Sequence, residues 1–412
     1  MKNVLHGRCI KCGKTFDAVT DLYACPLCSG IIEIEYDYDY IKHKINRETL
    51  AARRENSIWR YREFLPVKEE SPPPGLRVGW TPLYPAQRLG AAIGLPRLYI
   101  KDDGFNPTSS MKDRASAIAI IKAKEGGFSV IACSSTGNAA SSLAGGCAAE
   151  GLGAVIFVPR RAPQGKVAQL LIFGAKVVSV DGSYADTYHL SARAIQKWGW
   201  YNRNAAINPY LIEGKKTVAL EIGEQLGFKA PDWVAISVGD GCSIAGVYKG
   251  FQDLYETGLI DRIPSLLSVQ AEGCCPVNTA FLTGGELVPT AENTIADSIA
   301  VGEPRNPDKA LHALRASNGA AVNVSDDEIL DAMRMLGRNC GVFGEPAGTA
   351  ALAGLRKAAA NGLISPESAV VCIVTGNGLK DVQNGIKAAG DPLLIPPSME
   401  LLERAFSEKK WI

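Results

Sequence analysis

From Gly79 onward, short β-rich runs alternate with helical segments, and this order limits the possible folds more than any other feature of the chain. The predicted strands are 98–101, 129–133, 154–159, 176–180, 233–238, 265–271 and 369–375, and helices are predicted at 112–124, 138–150, 165–173 and 186–198. A strand–helix–strand order favours a parallel sheet covered by helices. Because the alternation pauses and then resumes at 233, we expect an α/β fold of two parallel-sheet units with a cleft between them.

Length and charge exclude several functional classes. The 412 residues suffice for two or three domains. Lys+Arg 44 against Asp+Glu 43 gives a net charge of +1, so no broad attraction to nucleic acid or to a membrane is expected. Apolar runs have the length of strands and are too short to span a membrane. The N-terminus lacks the apolar segment of a signal peptide, and eleven cysteines without such a leader indicate a reducing, cytoplasmic location.

Four cysteines near the N-terminus form two Cys-x-x-Cys pairs. Cys9 and Cys12 form the first pair, and Cys25 and Cys28 form the second. Two such pairs can place four thiolates tetrahedrally around Zn²⁺ in a closed structural site. We therefore expect a small zinc ribbon over roughly residues 5 to 36. A disulfide pairing, an iron–sulfur cluster or a ribbon without metal are the alternatives, and the reducing compartment disfavours the first.

Glycine-rich loops follow three of the predicted strands, at 134–138, 239–246 and 375–381. In parallel α/β folds, ligands bind at the carboxyl ends of strands. Glycine turns that open a helix allow backbone N–H groups to approach a phosphate. The turn at 239–246 suits this task through the amides of Gly239, Asp240, Gly241, Cys242 and Ser243. Its spacing matches neither a Walker A run nor GxGxxG.

Lys112 lies in the stretch NPTSSMKDRAS, between small hydroxyl residues and an Asp-Arg pair. A lysine, an Asn-bearing hydroxyl loop, a phosphate turn and a threonine at a strand end are together what pyridoxal phosphate requires. The motifs GWTPL, NPTSSMKDR, SSTGNAA, NPYLIEGKKT, TIADSI, EPAGTAALAG and VTGNGLKD occur in this order. With these motifs the chain resembles the fold type II pyridoxal-phosphate enzymes, and within them the threonine synthase family, over about residues 79 to 390.

The resemblance implies a role for each matching residue. Lys112 would be the Schiff-base lysine and proton carrier. Asn138 would face the 3′-oxygen of the cofactor ring, and Thr375 would face its nitrogen. Ser135 and Thr136 would hold the substrate carboxylate. The implied reaction converts O-phospho-L-homoserine and water into L-threonine and phosphate, by γ-elimination and then addition of water at Cβ.

The implied domains are a zinc ribbon (1–36), an arm or linker (37–78), a large cofactor-binding domain (79–111 and 216–412) and a small α/β domain (112–215). The active site is expected between the last two. The resemblance also implies a homodimer.

One departure from the family pattern concerns the substrate phosphate. The family pattern Asn-Ser-x-Asn-Pro-x-Arg is replaced here by residues 205–211, so that Ala206 and Leu211 stand where Ser and Arg would grip a phosphate. Of the residues in this segment expected to contact the substrate, only Asn208 is left. Other readings therefore stay open. They are a threonine, serine or diaminoacid ammonia-lyase, a cysteate synthase acting on phosphoserine, and a non-catalytic zinc-ribbon scaffold.

Overall fold

An antiparallel sheet of three strands forms the N-terminus in the computed structural model, which describes residues 1–135, 137–160 and 164–411. Its strands are β1 (Val4–Cys9), β2 (Thr15–Phe16) and β3 (Ile32–Tyr36), in the order β2-β1-β3. Burial alternates along β3, so that Ile32, Ile34 and Tyr36 face the interior and Glu33 and Glu35 face the other way. This alternation is the pattern of a strand with one covered face.

The segment after the ribbon packs against the body of the protein. It contains helices α1 (Tyr38–Lys42) and α2 (Arg47–Ala51) and a 3-10 helix at Ile58–Phe64. Leu50, Ile58, Tyr61 and Phe64 are completely buried in the largest apolar core of the described chain. Burial of these side chains, at about 1.5–3 kcal/mol for a large apolar group, fixes the arm to the body.

The larger sheet has six strands in the order β12-β11-β10-β13-β5-β4. All neighbouring pairs are parallel except β4 with β5. Its strands and the helices beside them are β4 (Leu83–Pro85), α3 (Gln87–Ile93), β5 (Leu98–Asp102) and, after the smaller sheet, α8 (Tyr210–Lys215), α9 (Thr217–Gln225), β10 (Trp233–Ser237), α10 (Cys242–Glu256), β11 (Ser265–Ala271), α11 (Pro276–Thr283), α12 (Pro307–Ala316), β12 (Ala320–Val324), α13 (Asp326–Cys340), α14 (Pro346–Ala360), β13 (Val370–Val374), α15 (Val382–Ala389) and α16 (Met399–Glu408).

The smaller sheet has four parallel strands in the order β8-β7-β6-β9. Its elements are α4 (Lys112–Glu125), β6 (Val130–Ser134), α5 (Asn138–Glu150), β7 (Gly153–Pro159), α6 (Gln164–Ile172), β8 (Lys176–Val180), α7 (Tyr184–Trp198) and β9 (Tyr201–Asn202). The predicted α/β fold with two parallel-sheet units is confirmed. The predicted domain bounds themselves stay a prediction.

A buried ionic cluster holds α4 in place between the two sheets. Arg114 Nε lies 2.7 Å from Asp103 Oδ2, beyond β5, and its Nη2 donates to Glu221 Oε2 of α9 at 2.8 Å. Lys101 Nζ also donates to Glu221 Oε2, at 2.7 Å. All four side chains are fully buried. Removal of one partner from such a buried pair costs about 3–5 kcal/mol, so the first turn of α4 is firmly anchored.

Candidate active site

The loop that carries Lys112 pairs with the loop that follows β13. Met111 N donates to Thr375 O at 2.8 Å, and Asn377 N donates to Ser109 O at 3.0 Å. Ser109 has a φ of 68°, a left-handed conformation that turns the chain into α4. These contacts place Lys112 next to Thr375, although 263 residues separate them in the sequence.

Lys112 is the first residue of α4, and its side chain is mostly buried. Within the described ranges, no hydrogen bond or ion pair involves its Nζ. Burial, and then the positive charge of Lys215, lowers the pKa of Lys112 to about 8, while the Glu345 carboxylate opposes the shift in part. A lysine in this state is partly neutral near physiological pH, as a nucleophile and proton acceptor must be.

Asn138 and Glu345 meet across the cleft between the two sheets. Asn138 begins α5, and its Nδ2 donates to Glu345 Oε1 at 2.7 Å. Glu345 directly precedes α14, and its N–H donates to Gly376 O at 3.0 Å. Burial and the negative charge of Asp297 raise the pKa of Glu345 to about 7. The carboxyl group is therefore part protonated at neutral pH and can act as donor or acceptor.

Thr375 follows β13 with its hydroxyl unused. Its backbone carbonyl is bonded to Met111, but no hydrogen bond of Oγ1 occurs in the portion of the chain that the structure describes. Gly348 of α14 allows the close approach here, because a Cβ at Gly348 would lie 2.9 Å from Gly376 N. A strand-end hydroxyl without a local partner fits the predicted contact with a ring nitrogen.

The turn at 239–243 joins β10 to α10. Gly241 caps the helix with a φ of 88°, and a Cβ there would lie 2.5 Å from Asn306 O. Gly239 is similarly confined by Ile299, whose Cα would lie 3.1 Å from a Cβ. The first N–H groups of a helix have no intrahelical acceptor. The N–H groups at Cys242 and Ser243 thus suit a phosphate, as the sequence predicts.

The carboxylate of Asp240, in the same turn, is not an unpaired negative charge beside the expected phosphate. Its Oδ1 lies 3.5 Å from Arg305 Nε and accepts from Arg305 N at 3.3 Å. The Asp240 backbone carbonyl also accepts from Asn306 N at 3.0 Å. The carboxylate is therefore partly neutralised, which reduces its conflict with a bound anion.

The predicted substrate residues differ in their surroundings. Ser135 Oγ accepts from Gly137 N at 3.2 Å. Thr136 lies outside the described residues. Asn208 is buried, and both ends of its amide are used: Oδ1 accepts from Tyr210 N at 3.0 Å, and Nδ2 donates to Asn202 O at 2.9 Å. A contact between Asn208 and the substrate stays a prediction. It requires that the substrate replace one of these two hydrogen-bond partners.

The two positions that lack the family's phosphate grip are closed by apolar packing. Leu211 is 1% exposed and belongs to the core of the smaller sheet. Ala206 packs with Ile212, Cys242 and Ala245. Two buried cations that the family pattern does not include lie on either side of this segment, Arg203 before it and Lys215 after it. Their burial could not be predicted from their neighbours, because Arg203 lies between two asparagines and Lys215 is followed by a second lysine.

The four N-terminal cysteines converge on one point. Their Sγ atoms all lie within 4.8 Å of one another, with Cys9 and Cys28 3.5 Å apart and Cys12 and Cys25 3.7 Å apart. Four thiolates about 2.3 Å from a tetrahedral Zn²⁺ would be about 3.8 Å apart, so the separations fit.

Both cysteine pairs also have the same backbone turn. Gly13 N donates to Cys9 O at 2.9 Å, and Ser29 N donates to Cys25 O at 2.8 Å, with left-handed φ at Gly13 and Ser29. A Cβ at Gly30 would lie 2.8 Å from Cys9 Sγ, which explains the glycine.

A cleft of about 630 Å³ opens between the two sheets beside Asn138. It is lined by Gly137, Asn138, Ser141, Lys166, Gln169 and Lys380, among others. Lys380 Nζ crosses it, donating to Ser141 Oγ at 2.9 Å and to Gln169 Oε1 at 2.8 Å. Lys166 pairs with Asp297 from the opposite side. The cleft is therefore polar and large enough for a small amino acid beside a cofactor.

Comparison with known proteins agrees with this site. The profile of the family described as "Pyridoxal-phosphate dependent enzyme" matches residues 75–376. The chain is 41% identical over 404 residues to the threonine synthase of Methanocaldococcus jannaschii, covering 97% of this chain and 99% of that protein. It is 40% identical over 407 residues to the threonine synthase of Methanosarcina acetivorans, covering 98% and 99%. The chain belongs to the threonine synthase family of pyridoxal-phosphate-dependent enzymes.

Solved structures agree on the fold at lower identity. The processed form of threonine deaminase isoform 2 from Solanum lycopersicum matches with a TM-score of 0.65 and 23% identity, over 75% of this chain and 87% of that one. Diaminopropionate ammonia lyase from Escherichia coli gives a TM-score of 0.65 and 21% identity, over 78% and 88%. These matches confirm the fold type II architecture. Membership of the threonine synthase family argues against the ammonia-lyase and scaffold readings.

Two residues of this threonine synthase family member lie beside the candidate site, although the sequence motifs that contain them suggested no role for them. Glu345 stood within a recognised motif but had been given no role, although an acid directly before a helix that begins with proline was visible. Lys380 was likewise part of a recognised motif. In the described part of the chain, no helix has both the length and the apolar character that crossing a membrane requires.

Proposed function

We propose that this chain converts O-phospho-L-homoserine and water into L-threonine and phosphate. The observation that carries the proposal is the identity of 41% and 40% with two threonine synthases over nearly the whole chain. The site is compatible with it, because Lys112, which has no hydrogen-bond or ion-pair partner among the described residues, lies on a loop paired with that of Thr375 and within electrostatic reach of Cys242 in the phosphate turn.

Pyridoxal phosphate, when bound, supplies an electron sink that acidifies the Cα–H of an amino acid. Lys112 would hold it covalently, and the amides at Cys242 and Ser243 would hold its phosphate. The Thr375 hydroxyl would meet the ring nitrogen and leave it uncharged, which limits its electron withdrawal and favours loss of the leaving group over transamination. Asn138 would meet the ring oxygen, and Glu345 would act as a positioning residue for the Asn138 amide.

Lys112 would also move the protons. With a pKa of about 8 its amine can accept the Cα proton and return a proton later in the cycle. The substrate carboxylate would lie at Ser135 and Thr136, beside the N-terminal end of α5. Phosphate leaves from Cγ, and water adds at Cβ to give the threonine hydroxyl. The atoms balance: the ester oxygen leaves with the phosphate, the oxygen of water becomes the Cβ hydroxyl, and the proton gained at Cγ makes the methyl group of threonine.

The experiment is an assay of threonine and phosphate together, with purified protein and O-phospho-L-homoserine. Ammonia release from L-threonine and L-serine is measured beside it. Threonine and phosphate in equal amounts, with little ammonia, support the proposal. Ammonia as the main product would replace it by an ammonia-lyase activity.

We further propose that Cys9, Cys12, Cys25 and Cys28 bind a structural Zn²⁺. Support comes from the matching turns and the Sγ separations. Four protein ligands leave no open position, so the ion would contribute to stability and not to catalysis. Metal analysis of the purified protein tests this, with one zinc per chain expected.

A homodimer and a cytoplasmic location complete the proposal. The location rests on eleven free thiols, which suit a reducing compartment. Sedimentation velocity at micromolar concentration distinguishes monomer from dimer.

A further inference from the structure

Arg203 and Lys215 are buried cations without a carboxylate partner in the described ranges of the chain. Arg203 is 1% exposed and Lys215 is 3% exposed, and neither forms an ion pair with any residue that the structure describes. The Asp113 carboxylate, whose charge reaches Arg203, is bonded to Thr108 N and Oγ1. A buried charge without a partner costs several kcal/mol. An arrangement of this kind calls for an anion that the protein itself does not supply.

Arg203 lies at the ligand-binding edge of the smaller sheet. It directly follows β9, which pairs in parallel with β6, so both strands end at the same edge. Its Nε donates to Ser116 Oγ at 3.1 Å, while its Nη2 is buried without a hydrogen-bond partner among the described residues. One arm of the guanidinium is thus fixed and the other is left for a ligand.

Two neutral groups beside Arg203 are left unsatisfied in the same way. Ser134 N donates to Asn204 Oδ1 at 2.8 Å, which ties the end of β6 to the segment after β9. Asn204 Nδ2 and Ser134 Oγ are both buried, and neither has a partner within the described part of the chain. Most buried polar side-chain atoms are hydrogen-bonded, so three orphaned groups at the ends of two paired strands, on Ser134, Arg203 and Asn204, are informative.

Lys215 approaches the same region from the other side. It ends α8, and its Cβ packs so closely on α10 that a Cβ at Gly246 would lie 2.9 Å away. After burial, its charge is the next cause of the lowered pKa of Lys112, and it partly opposes the rise that burial causes in the pKa of Cys242. Lys215 therefore lies within electrostatic reach of Lys112, of Cys242 in the phosphate turn and of Arg203.

Lys215 also stands near the place of the missing family arginine. It lies four residues after Leu211 on α8, and residues four apart on a helix are neighbours on its surface. Leu211 points into an apolar core, so it leaves no polar vacancy.

We propose that Arg203 and Lys215 together bind the phosphate of the phosphorylated amino-acid substrate, with Asn204 Nδ2 and Ser134 Oγ as neutral donors. This inference rests on the proposed function. Two cations and two neutral donors suit a doubly charged phosphate better than a carboxylate. The substrate carboxylate is expected at another place, the loop after β6. The chain would thus keep the substrate of its family with a different set of anion ligands.

The test uses a phosphonate that cannot react. 2-Amino-5-phosphonopentanoate replaces the ester oxygen of O-phosphohomoserine by carbon, and norvaline is the same skeleton without the phosphonate. Binding of each to the holoenzyme is measured by calorimetry for the wild type and for Arg203→Met, Lys215→Met and the milder Arg203→Lys and Lys215→Gln. Arg262→Met, at a surface pair with Asp232, is the matched control. The dissociation constant of pyridoxal phosphate is measured for each variant.

Loss of one charge-assisted contact should weaken phosphonate binding about 10- to 100-fold. Norvaline and cofactor affinities should change less than about threefold, and Arg262→Met should resemble the wild type. Equal loss of norvaline and phosphonate affinity, or loss of cofactor affinity alone, would overturn the inference, and the latter would assign the pair to the cofactor phosphate. Unchanged phosphonate affinity in folded variants would also overturn it.

Failure of the proposed function is distinguishable from failure of this inference. If the wild type makes no threonine but the variants lose phosphonate affinity selectively, the anion site stands and the reaction is another one on a phosphorylated amino acid. If the wild type makes threonine and the variants bind the phosphonate normally, only the inference falls. A wild type that does not bind the phosphonate overturns it as well.

Discussion

Asn138 and Glu345 form a hydrogen bond of 2.7 Å that joins the two sheet units across the cleft. Asn138 starts a helix of the smaller sheet, and Glu345 immediately precedes a helix of the larger one. The bond is buried, and the Glu345 carboxyl has a pKa raised to about 7, mainly by burial. The two units are therefore linked at the site through one buried carboxyl group.

The substitution Glu345→Gln should change how stability depends on pH. The pKa of Glu345 is raised above its usual 4.5, so the native state binds the extra proton. Its stabilising contribution is complete below pH 4.5 and is lost as the pH rises through about 7. The variant should therefore gain stability relative to the wild type over this range, by up to about 3 kcal/mol.

Urea unfolding at several pH values measures this difference. Glu400→Gln, on the exposed surface of α16, is the control. A stability difference between Glu345→Gln and the wild type that stays constant from pH 4.5 to pH 7 would contradict the burial of an ionising group here.

Lys112 should load with cofactor at unusually low pH. Because burial and then the Lys215 charge lower its pKa to about 8, the neutral amine is present well below the ordinary value of 10.5. The rate of covalent loading of apoenzyme should rise with pH and level off above about 8. Stopped-flow absorbance gives the profile, and an inflection near 10 would argue against it.

Lys112→Ala should abolish both covalent attachment and turnover. Borohydride reduction followed by peptide mass spectrometry should place the cofactor on Lys112 in the wild type and nowhere in the variant. Lys112→Arg is the matched control, since it keeps the charge but cannot form the imine. Turnover near the wild-type rate in either variant would refute the assignment.

Cys25→Ser should lower zinc content and stability while the cofactor chemistry of the folded protein is preserved. Cys275→Ser, a cysteine outside the cluster, should change neither zinc content nor melting temperature. Removal of zinc from the wild type by a chelator should lower its stability as Cys25→Ser does. An unchanged melting temperature after complete zinc removal would show that the ion does not support the fold.

Glu33 should contribute more to stability than Glu35, although both lie on one face of β3. Glu33 pairs with Lys249 and, at 2.5 Å, with Lys309, both largely buried. Glu35 pairs with the more exposed His6 and Arg8. Glu33→Gln leaves Lys309 without a carboxylate partner among the described residues, whereas Lys249 keeps Glu213, so the cost should be about 3 kcal/mol, the lower end for a buried pair.

Glu35→Gln should cost less than about 1 kcal/mol, because surface ion pairs contribute little. Chemical denaturation at neutral pH compares the two variants. Equal losses would mean that the ribbon docks through its apolar face alone.

The sequence predicted those helices, strands and turns whose bounds are set by their own residues and not by contacts with distant segments. The helix at 138–150 has its predicted bounds, because a run of small residues ends at Gly151, which adopts a left-handed φ of 66°. The two cysteine turns were predictable for the same reason, since spacing and the small residues after each pair set the geometry. The parallel order of the sheets also followed from the alternation of strands and helices.

The remaining parts depend on contacts between distant segments. Strand β9 has only two residues, too few for a visible pattern, yet its pairing with β6 puts Arg203 at the site edge. Nothing local distinguishes Arg203 from a solvated arginine, because its burial comes from segments distant in the sequence, such as α4, where Ser116 Oγ accepts from its Nε. Asn208 shows the reverse case, since a recognised motif residue is occupied by backbone hydrogen bonds.

The most direct test of the central claim is the reaction of wild-type enzyme with O-phospho-L-homoserine in ¹⁸O-labelled water. Elimination breaks the Cγ–O bond, and water then adds at Cβ. We predict threonine with one ¹⁸O atom and an equal amount of phosphate that carries none. Labelled phosphate with unlabelled homoserine, or ammonia without threonine, would contradict the account.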